Sequence, residues 1–329
     1  MYRRAVSDLL AVLLGAALAT NPPQAVSNLV AAKTGLSIPV VNTNDPVERE
    51  YYRILLDDEA AEKEILGWTD KAEAMSKEGG LSTLTLNARI RQRLEDIRKE
   101  YQDFVERHPN HVNARLAYGS FLYDSNDEDG AAKQWETARD LAPSNSAAWN
   151  DLGKLCGDGH RGPIKKAFEY YDKAISLDSN QSVYYHNLAL VVYMYRKDAR
   201  EYYHLDEQQV FDKALELYRR AIKLDPDNFV LFSDYAESFY GTNPPRWKEG
   251  LQAWTEALKI AHDDVEREGV YIHLARIHLK LGQYDQARAS LDAVTNANYA
   301  TLKGRLTRNL NAALAKAATN APPPTPAAK

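Results

Sequence analysis

The stretch from Tyr271 to Val294 reads YIHLARIHLKLGQYDQARASLDAV and carries small and large apolar residues at fixed offsets. Its landmarks are Tyr271, Leu274, Ala275, Ala287, Leu291 and Val294. Alanines at such offsets let two helix backbones approach closely, while the larger side chains fill the space between them. The stretch therefore predicts a hairpin of two packed helices.

The same pattern recurs about every 34 residues from Val112 to Val294, as in arrays of helical hairpins. The earlier copies have their landmarks at Gly119, Ala131, Trp135, Ala138 and Pro143; at Trp149, Leu152, Gly153, Ala167, Tyr171 and Ala174; at Tyr185, Leu188, Ala189, Ala214, Tyr218, Ala221 and Pro226; and at Phe232, Tyr235, Ala236, Trp254 and Ala257. The third copy holds an insertion near Met194 to Leu205, which we interpret as an extended loop. Trp149 is expected to fill the gap between two hairpins.

This spacing resembles that of the tetratricopeptide repeat. The resemblance implies an all-α fold, a right-handed α-α superhelical solenoid of about five hairpins over residues 111–296. It also implies a protein–protein interaction module that binds a peptide or a partner helix in a concave groove, and no catalytic site.

In the family that this chain resembles, particular positions of each first helix line the groove. Carried over by register, the candidate binding residues are Tyr123, Asn150, Asp151, Lys154, His186, Asn187, Tyr193, Asp234, Glu237, His273 and Arg276. The same register places Asn113, Ser120, Ser233, Tyr240 and Lys280 on this face. The alternative is a merely solvated inner face, because polar residues are expected on any exposed surface. A clamp for acidic chaperone tails is disfavoured, since Leu116 and Ser120 stand where it needs a cation and an asparagine.

Two other functions stay open on sequence alone: a structural subunit of an envelope or secretion assembly, and an accessory subunit of an enzyme complex. The insertion at residues 194–205 is an alternative binding site to the concave face. The partner is expected to be a protein or peptide; its identity and the oligomeric state are left open.

The first 19 residues have the layout of a secretory signal peptide. Arg3 and Arg4 precede an apolar run from Leu9 to Ala19, and Thr20 follows an Ala-Leu-Ala site. The run is too short for a membrane span, which needs about 20 residues. We therefore expect an exported protein, periplasmic or extracellular, with an uncleaved N-terminal membrane anchor as the alternative.

A linker is predicted over 20–44 and an N-terminal helical region over 45–110. Asp45, Pro46 and Glu48 supply a helix start, and that helix is expected to end near Leu56, with Asp57 or Asp58 capping a second. A longer helix is predicted from Leu86 to Arg107. After the array, 297–318 form a capping helix, and a disordered tail is expected over 319–329.

Composition and motifs argue against other classes of function. The net charge of −5 disfavours nucleic acid as a ligand. Gly157, Gly159 and Gly162 match a dinucleotide motif but follow a helix rather than a strand. Asp127 and its neighbours approach a calcium loop, yet Ser125 stands at the first ligand position, so we interpret these acids as helix caps. We expect no metal and no cofactor, and a buried Cys156.

Overall fold

The computed structural model describes residues 45–76, 83–159 and 162–319, and it divides the chain into two compact units. Unit 1 extends to Ser179 and unit 2 begins at Asn180. The predicted signal peptide, the linker, and all of the predicted tail except Thr319 lie outside the described residues. The described residues contain α-helices and short 3-10 turns but no strand, which confirms the all-α class.

In unit 1 the helices pair as hairpins, α1 with α2, α3 with α4 and α5 with α6. Their bounds are α1, Pro46–Ser76; α2, Thr83–Arg107; α3, Val112–Asp124; α4, Glu128–Leu141; α5, Ser146–Gly157; and α6, Lys165–Leu177.

In unit 2 the principal pairs are α7 with α9, α10 with α11 and α12 with α13. The helices are α7, Ser182–Met194; α8, Arg196–Tyr203; α9, Glu207–Leu224; α10, Phe229–Ser238; α11, Trp247–Lys259; α12, Asp264–Lys280; α13, Tyr284–Asp292; and α14, Ala300–Thr319. The predicted loop in the third repeat is instead the helix α8, packed on α9.

The small residues of the repeat lie where two helices of a hairpin meet. A Cβ atom added at Gly119 would stand 2.3 Å from Nε1 of Trp135, and one at Gly153 would stand 2.9 Å from the ring of Tyr171. Trp135 is fully buried and donates its indole N–H to the Leu116 carbonyl at 3.1 Å. In each of these two hairpins, the contact of a glycine with a large ring therefore sets the distance between the two helices.

Side chains at the helix starts satisfy backbone donors that lack a partner within the helix. Asp45 caps α1 through the Val47 amide, and Asp127 caps α4 through the Gly130 amide, as predicted for these acids. His111 caps α3 with its ring nitrogen Nδ1, which accepts the Ala114 amide at 3.0 Å. Asp206 and Gln209 form a reciprocal capping box at α9.

Two sequence predictions are wrong. α1 does not end near Leu56, because Asp57 and Asp58 do not cap a new helix; Asp57 pairs with Arg93 on α2, and Asp58 accepts the Tyr101 hydroxyl at 2.8 Å. Trp149 is only half-buried and donates its indole N–H to the Pro143 carbonyl rather than filling a core.

The helix α14 ends the array as predicted, with Leu306 and Leu310 buried against the last hairpin. Cys156 is buried, as expected. Within the residues that the structure describes, no helix is long and apolar enough to cross a membrane.

Candidate functional site

The candidate residues fall on the first helices of the hairpins, and each unit is considered separately. Unit 1 contributes Tyr123 from α3, and Asn150, Asp151 and Lys154 from α5. Unit 2 contributes His186, Asn187 and Tyr193 from α7, Asp234 and Glu237 from α10, and His273 and Arg276 from α12. We call these two sets, with Tyr240 and Lys280 added to the second, the unit 1 face and the unit 2 face.

The unit 1 face is largely satisfied by its own side chains. Asn150 is 6% exposed and donates to Oδ1 of Asp151 at 3.2 Å, while Asp151 is 9% exposed. The ammonium group of Lys154 lies 4.2 Å from the centre of the Tyr123 ring, a cation–π contact between α5 and α3.

Asp151 holds an unusual buried carboxyl. Its Oδ2 atom is buried without a hydrogen-bond partner. Burial raises the pKa of this carboxyl to about 7, against the opposing effects of Asn150 and Lys154. This oxygen is closed off from solvent, so a partner that docks on the surface would not reach it.

The unit 2 face contains polar and aromatic contacts that link three first helices in pairs. His186 Nε2 lies 2.7 Å from Oδ2 of Asp234, which joins α7 to α10. The Tyr240 hydroxyl lies 3.0 Å from His273 Nδ1, which joins the 3-10 turn Phe239–Gly241, just after α10, to α12. Tyr193 also belongs here, since a Cβ atom added at Gly241 would meet its hydroxyl at 2.3 Å.

His273 is held in a neutral, oriented state. Its ring stacks on the buried Trp254 with ring centres 4.0 Å apart. Burial, with a contribution from Arg276, lowers the pKa of His273 to about 3. The contact of 3.8 Å between His273 and Glu237 is therefore no ion pair near neutral pH.

The charged side chains of the unit 2 face differ in their surroundings. Burial and the nearby Asp234 raise the pKa of Glu237 above its usual range. The Arg276 guanidinium lies 5.3 Å from the centre of the Tyr240 ring, and the Lys280 ammonium lies 5.9 Å from that of Trp247. Both cations lie near aromatic rings, and Arg276 also interacts electrostatically with Glu237.

Sequence reasoning missed Trp247, because it begins a second helix and the register assigns groove positions only to first helices. The pair Pro244-Pro245 just before it marks a loop but does not indicate which face the ring reaches. Lys280 was placed on the face by register, although it stands outside the eleven candidates.

The insertion has its own surface. Tyr202 and Tyr203 pack edge to face, and the Lys213 ammonium lies 3.9 Å from the centre of the Tyr203 ring. A cleft of about 410 Å³ beside α8 is lined by residues that include Met194, Arg200 and Glu207. Its charged residues are of both signs, so the cleft favours neither anions nor cations.

The residues that approach a calcium loop are engaged by other parts of the protein. No group of three His, Cys, Asp or Glu side chains in the described part of the chain could hold a metal ion. Asp127 is engaged by the Gly130 amide and by Arg98, whose Nη1 lies 2.7 Å from its Oδ2. The former calcium candidate is therefore a helix cap within an ion pair.

Comparison with known proteins identifies the repeat. Family models described as tetratricopeptide repeat match residues 91–138 and 269–301. A protein named photosystem I assembly protein Ycf3 from Rippkaea orientalis is 31% identical over 70 residues, 21% of this chain and 40% of that protein. Its namesake from Acaryochloris marina is 31% identical over 71 residues, 21% of this chain and 43% of that protein. The chain spans about two fifths of the length of these curated relatives.

Solved structures show the same fold at low identity. PilW, described as a type IV pilus biogenesis factor, superposes with a TM-score of 0.52 at 15% identity, covering 68% of this chain and 95% of its own. PilF of Pseudomonas aeruginosa gives a TM-score of 0.51 at 12% identity, covering 76% of this chain and 98% of its own. These likenesses extend the helical-repeat fold beyond the segments that the family models match.

Proposed function

Because the chain is a tetratricopeptide-repeat protein and its repeats form a protein–protein interaction module, we propose that it holds an extended peptide or a partner helix against its first helices. The observation that carries this proposal is the unit 2 face. Three successive first helices there present hydrogen-bonding and aromatic groups that are already held in place by one another.

Such a network suits recognition because its side chains lose little freedom when a partner docks. Ordering a flexible side chain costs about 0.5–1.5 kcal/mol at an interface. The stack of His273 on Trp254 and the contact of Tyr240 with His273 have already restrained these groups. Asn187 and Arg276 then supply hydrogen bonds to the partner's backbone and side chains.

Export is part of the proposal and is supported by the charged start, the short apolar run and the Ala-Leu-Ala site before Thr20. Protein purified from its native host should have an N-terminus near Thr20. A full-length species that sediments with membranes would favour the anchored form instead.

A second candidate is a subunit or assembly factor of a larger machine. The observation that favours it is the name of the two matched relatives, each a photosystem I assembly protein. This role would leave the chain in a stoichiometric complex, whereas a groove binder with a transient ligand would be recovered alone. Native size measurement on protein from its host separates the two.

The groove itself is tested by partner capture with paired variants. The full chain with Asn187→Ala and Arg276→Ala should recover its native partner about tenfold less well, since each lost hydrogen bond contributes roughly 0.5–1.5 kcal/mol. Its circular dichroism should be unchanged. If this variant captures the partner normally and Tyr202→Ala with Tyr203→Ala loses it, the site lies on the insertion and the groove is excluded.

A further inference from the structure

We propose that the α1–α2 hairpin carries a docking surface for the chain's own N-terminal segment, residues 25–41. The surface lies at the end of the hairpin beyond the core of unit 1, and we call residues 62–72 and 84–93 of that end the arm. The arm is separate from the unit 2 face, so this inference does not rest on the proposed function.

The arm is a pair of helices without a core of its own. Arg93 on α2 forms ion pairs with Asp57 and Glu64 on α1, and Arg89 lies 3.8 Å from the centre of the Trp68 ring, so the helices stay paired along the arm. None of the arm's described side chains is buried, whereas the other end of the hairpin contributes fully buried rings to the core of unit 1. A helix pair of this kind gains little stability from packing unless another segment covers it.

The arm nevertheless carries large apolar side chains. Five of them are partly buried and lie outside the core cluster of unit 1: Ile65, Leu66, Trp68, Leu86 and Ile90. Leu84 is 78% exposed. Apolar side chains grouped in this way mark a surface that another segment covers.

The N-terminal segment has the composition that such a surface needs. Residues 25–41 read AVSNLVAAKTGLSIPVV, and Lys33 is their only charged side chain. Their large apolar residues are Val26, Leu29, Val30, Leu36, Ile38, Val40 and Val41. Docking would remove apolar area of both the segment and the arm from water, which is the main driving force for such a contact.

The chain is long enough to reach the arm. The segment ends just before Asp45, and the arm begins at Glu62, about 24 Å along α1 from Pro46. Residues 36–44 span up to about 30 Å when extended, which leaves residues 26–35 to lie along the arm. A tether this short gives an effective concentration in roughly the millimolar range, which favours the chain's own segment over a second copy.

Hydrogen exchange followed by mass spectrometry tests the contact in the full chain purified from its native host. The apolar variant is Leu29→Ser with Val30→Ser and Ile38→Ser. Amides of the arm should exchange about tenfold faster in this variant than in the unmodified chain, because the arm loses its cover. Amides of residues 97–107, in the part of α2 that packs on the core, should be unchanged.

The matched control replaces three polar residues of the same segment, with Asn28→Ala, Thr34→Ala and Ser37→Ala. These changes keep every large apolar side chain, so exchange of the arm should equal that of the unmodified chain. An arm that exchanges faster in the control as well would show that the apolar side chains do not make the contact.

The reciprocal variant alters the arm instead of the segment. Trp68→Ser with Ile90→Ser should speed exchange of residues 25–41 about tenfold, and residues 97–107 report whether the hairpin is still folded. Leu84→Ser changes a side chain that folding does not bury, so it should speed exchange of the segment by a smaller factor without affecting residues 97–107.

The inference is overturned if residues 25–41 exchange in the unmodified chain as fast as an unfolded peptide, or if the apolar variant leaves exchange of the arm unchanged. Light scattering and exchange at two protein concentrations identify a different occupant. Protection of the arm that appears only as a dimer forms would assign the surface to a second copy and overturn docking of the segment. Protection that is the same in a monomer at both concentrations supports the inference.

Discussion

The two faces occupy equivalent positions in the repeat but differ in what they leave for a partner. On the unit 1 face, Asn150 and Asp151 are buried and bonded to each other. On the unit 2 face, Glu237 and Lys280 are exposed, and Arg276 is partly exposed. Register therefore sets which way a side chain points, while its neighbours determine whether a partner can reach it.

The difference has a physical origin in what each polar group contacts. On the unit 1 face, Asn150 is buried, and the Asp151 oxygen that lacks a hydrogen-bond partner is closed off from water. Across unit 2, the polar groups are linked in a network whose cations still face solvent. We interpret the unit 1 face as part of the interior and the unit 2 face as the recognition surface.

The largest expected effect contrasts two tryptophans. Trp135→Ala in unit 1 should lower the free energy of unfolding by about 3–5 kcal/mol, because it empties a closely packed space against Gly119. Trp247→Ala on the unit 2 face should cost about 1–2 kcal/mol, since that ring is only half-buried. Urea unfolding of both variants measures the difference. Equal losses would show that the ring of Trp247 is packed as closely as that of Trp135.

A smaller effect concerns Asp151 in unit 1 and Asp234 in unit 2. Replacement of each by asparagine should change the free energy of unfolding in opposite directions. Because the folded pKa of Asp151 is about 7 and its ordinary value is 3.8, folding favours the protonated carboxyl. Its contribution to stability is full below pH 3.8 and is lost as pH rises through 7. Asp151→Asn should therefore raise the unfolding free energy at pH 8 by on the order of 1–3 kcal/mol.

The matched variant is Asp234→Asn, which removes the carboxylate that His186 contacts. It should lower the unfolding free energy by about 0.5–1.5 kcal/mol at pH 8. Thermal melts across pH 4–8 give both values. A loss of stability in Asp151→Asn at pH 8 would show that the folded protein favours the ionised carboxyl, which contradicts a raised pKa.

The smallest effect concerns the start of α3 in unit 1. Burial lowers the pKa of His111 from its ordinary 6.5, so the folded state favours the neutral ring, whose Nδ1 caps the helix. This contribution is present above pH 6.5 and is lost as pH falls below it. His111→Asn keeps a capping acceptor but does not titrate.

We expect His111→Asn to match the unmodified chain at pH 8 within about 0.5 kcal/mol and to exceed it by about 1 kcal/mol at pH 5. Urea unfolding at the two pH values gives the comparison. If the free energies of unfolding of the variant and the unmodified chain differ by the same amount at both pH values, protonation of His111 does not affect the cap.

The repeat was readable from sequence because its landmarks are local and recur five times. The contacts of Gly119 with Trp135 and of Gly153 with Tyr171 follow from the spacing of the repeat alone. The sequence does not show which partners the polar side chains find on other helices. Asp57 and Asp58 have the local pattern of a helix cap, but α2 provides Arg93 and Tyr101 as better partners, so α1 continues.

The site was predicted less completely for the same reason. Register placed Asn150 and Arg276 in equivalent roles, yet burial separates them, and burial depends on side chains from other helices. Trp149 occupies a landmark position but has the Pro143 carbonyl as its partner and stays half-exposed. The pairing of Lys280 with Trp247 links residues of different hairpins, which a repeat pattern does not encode.

The most direct test is a double dissociation between the faces, in which each variant is measured for both melting temperature and capture of the native partner. Asn150→Ala should lower the melting temperature, because it removes the donor to a buried carboxyl, and should leave capture unchanged well below the melt. Arg276→Gln should leave the melting temperature unchanged and reduce capture roughly threefold, about half of the double variant's effect in free energy. The reverse pattern, with capture lost in the unit 1 variant and kept in the unit 2 variant, would contradict the assignment of recognition to unit 2.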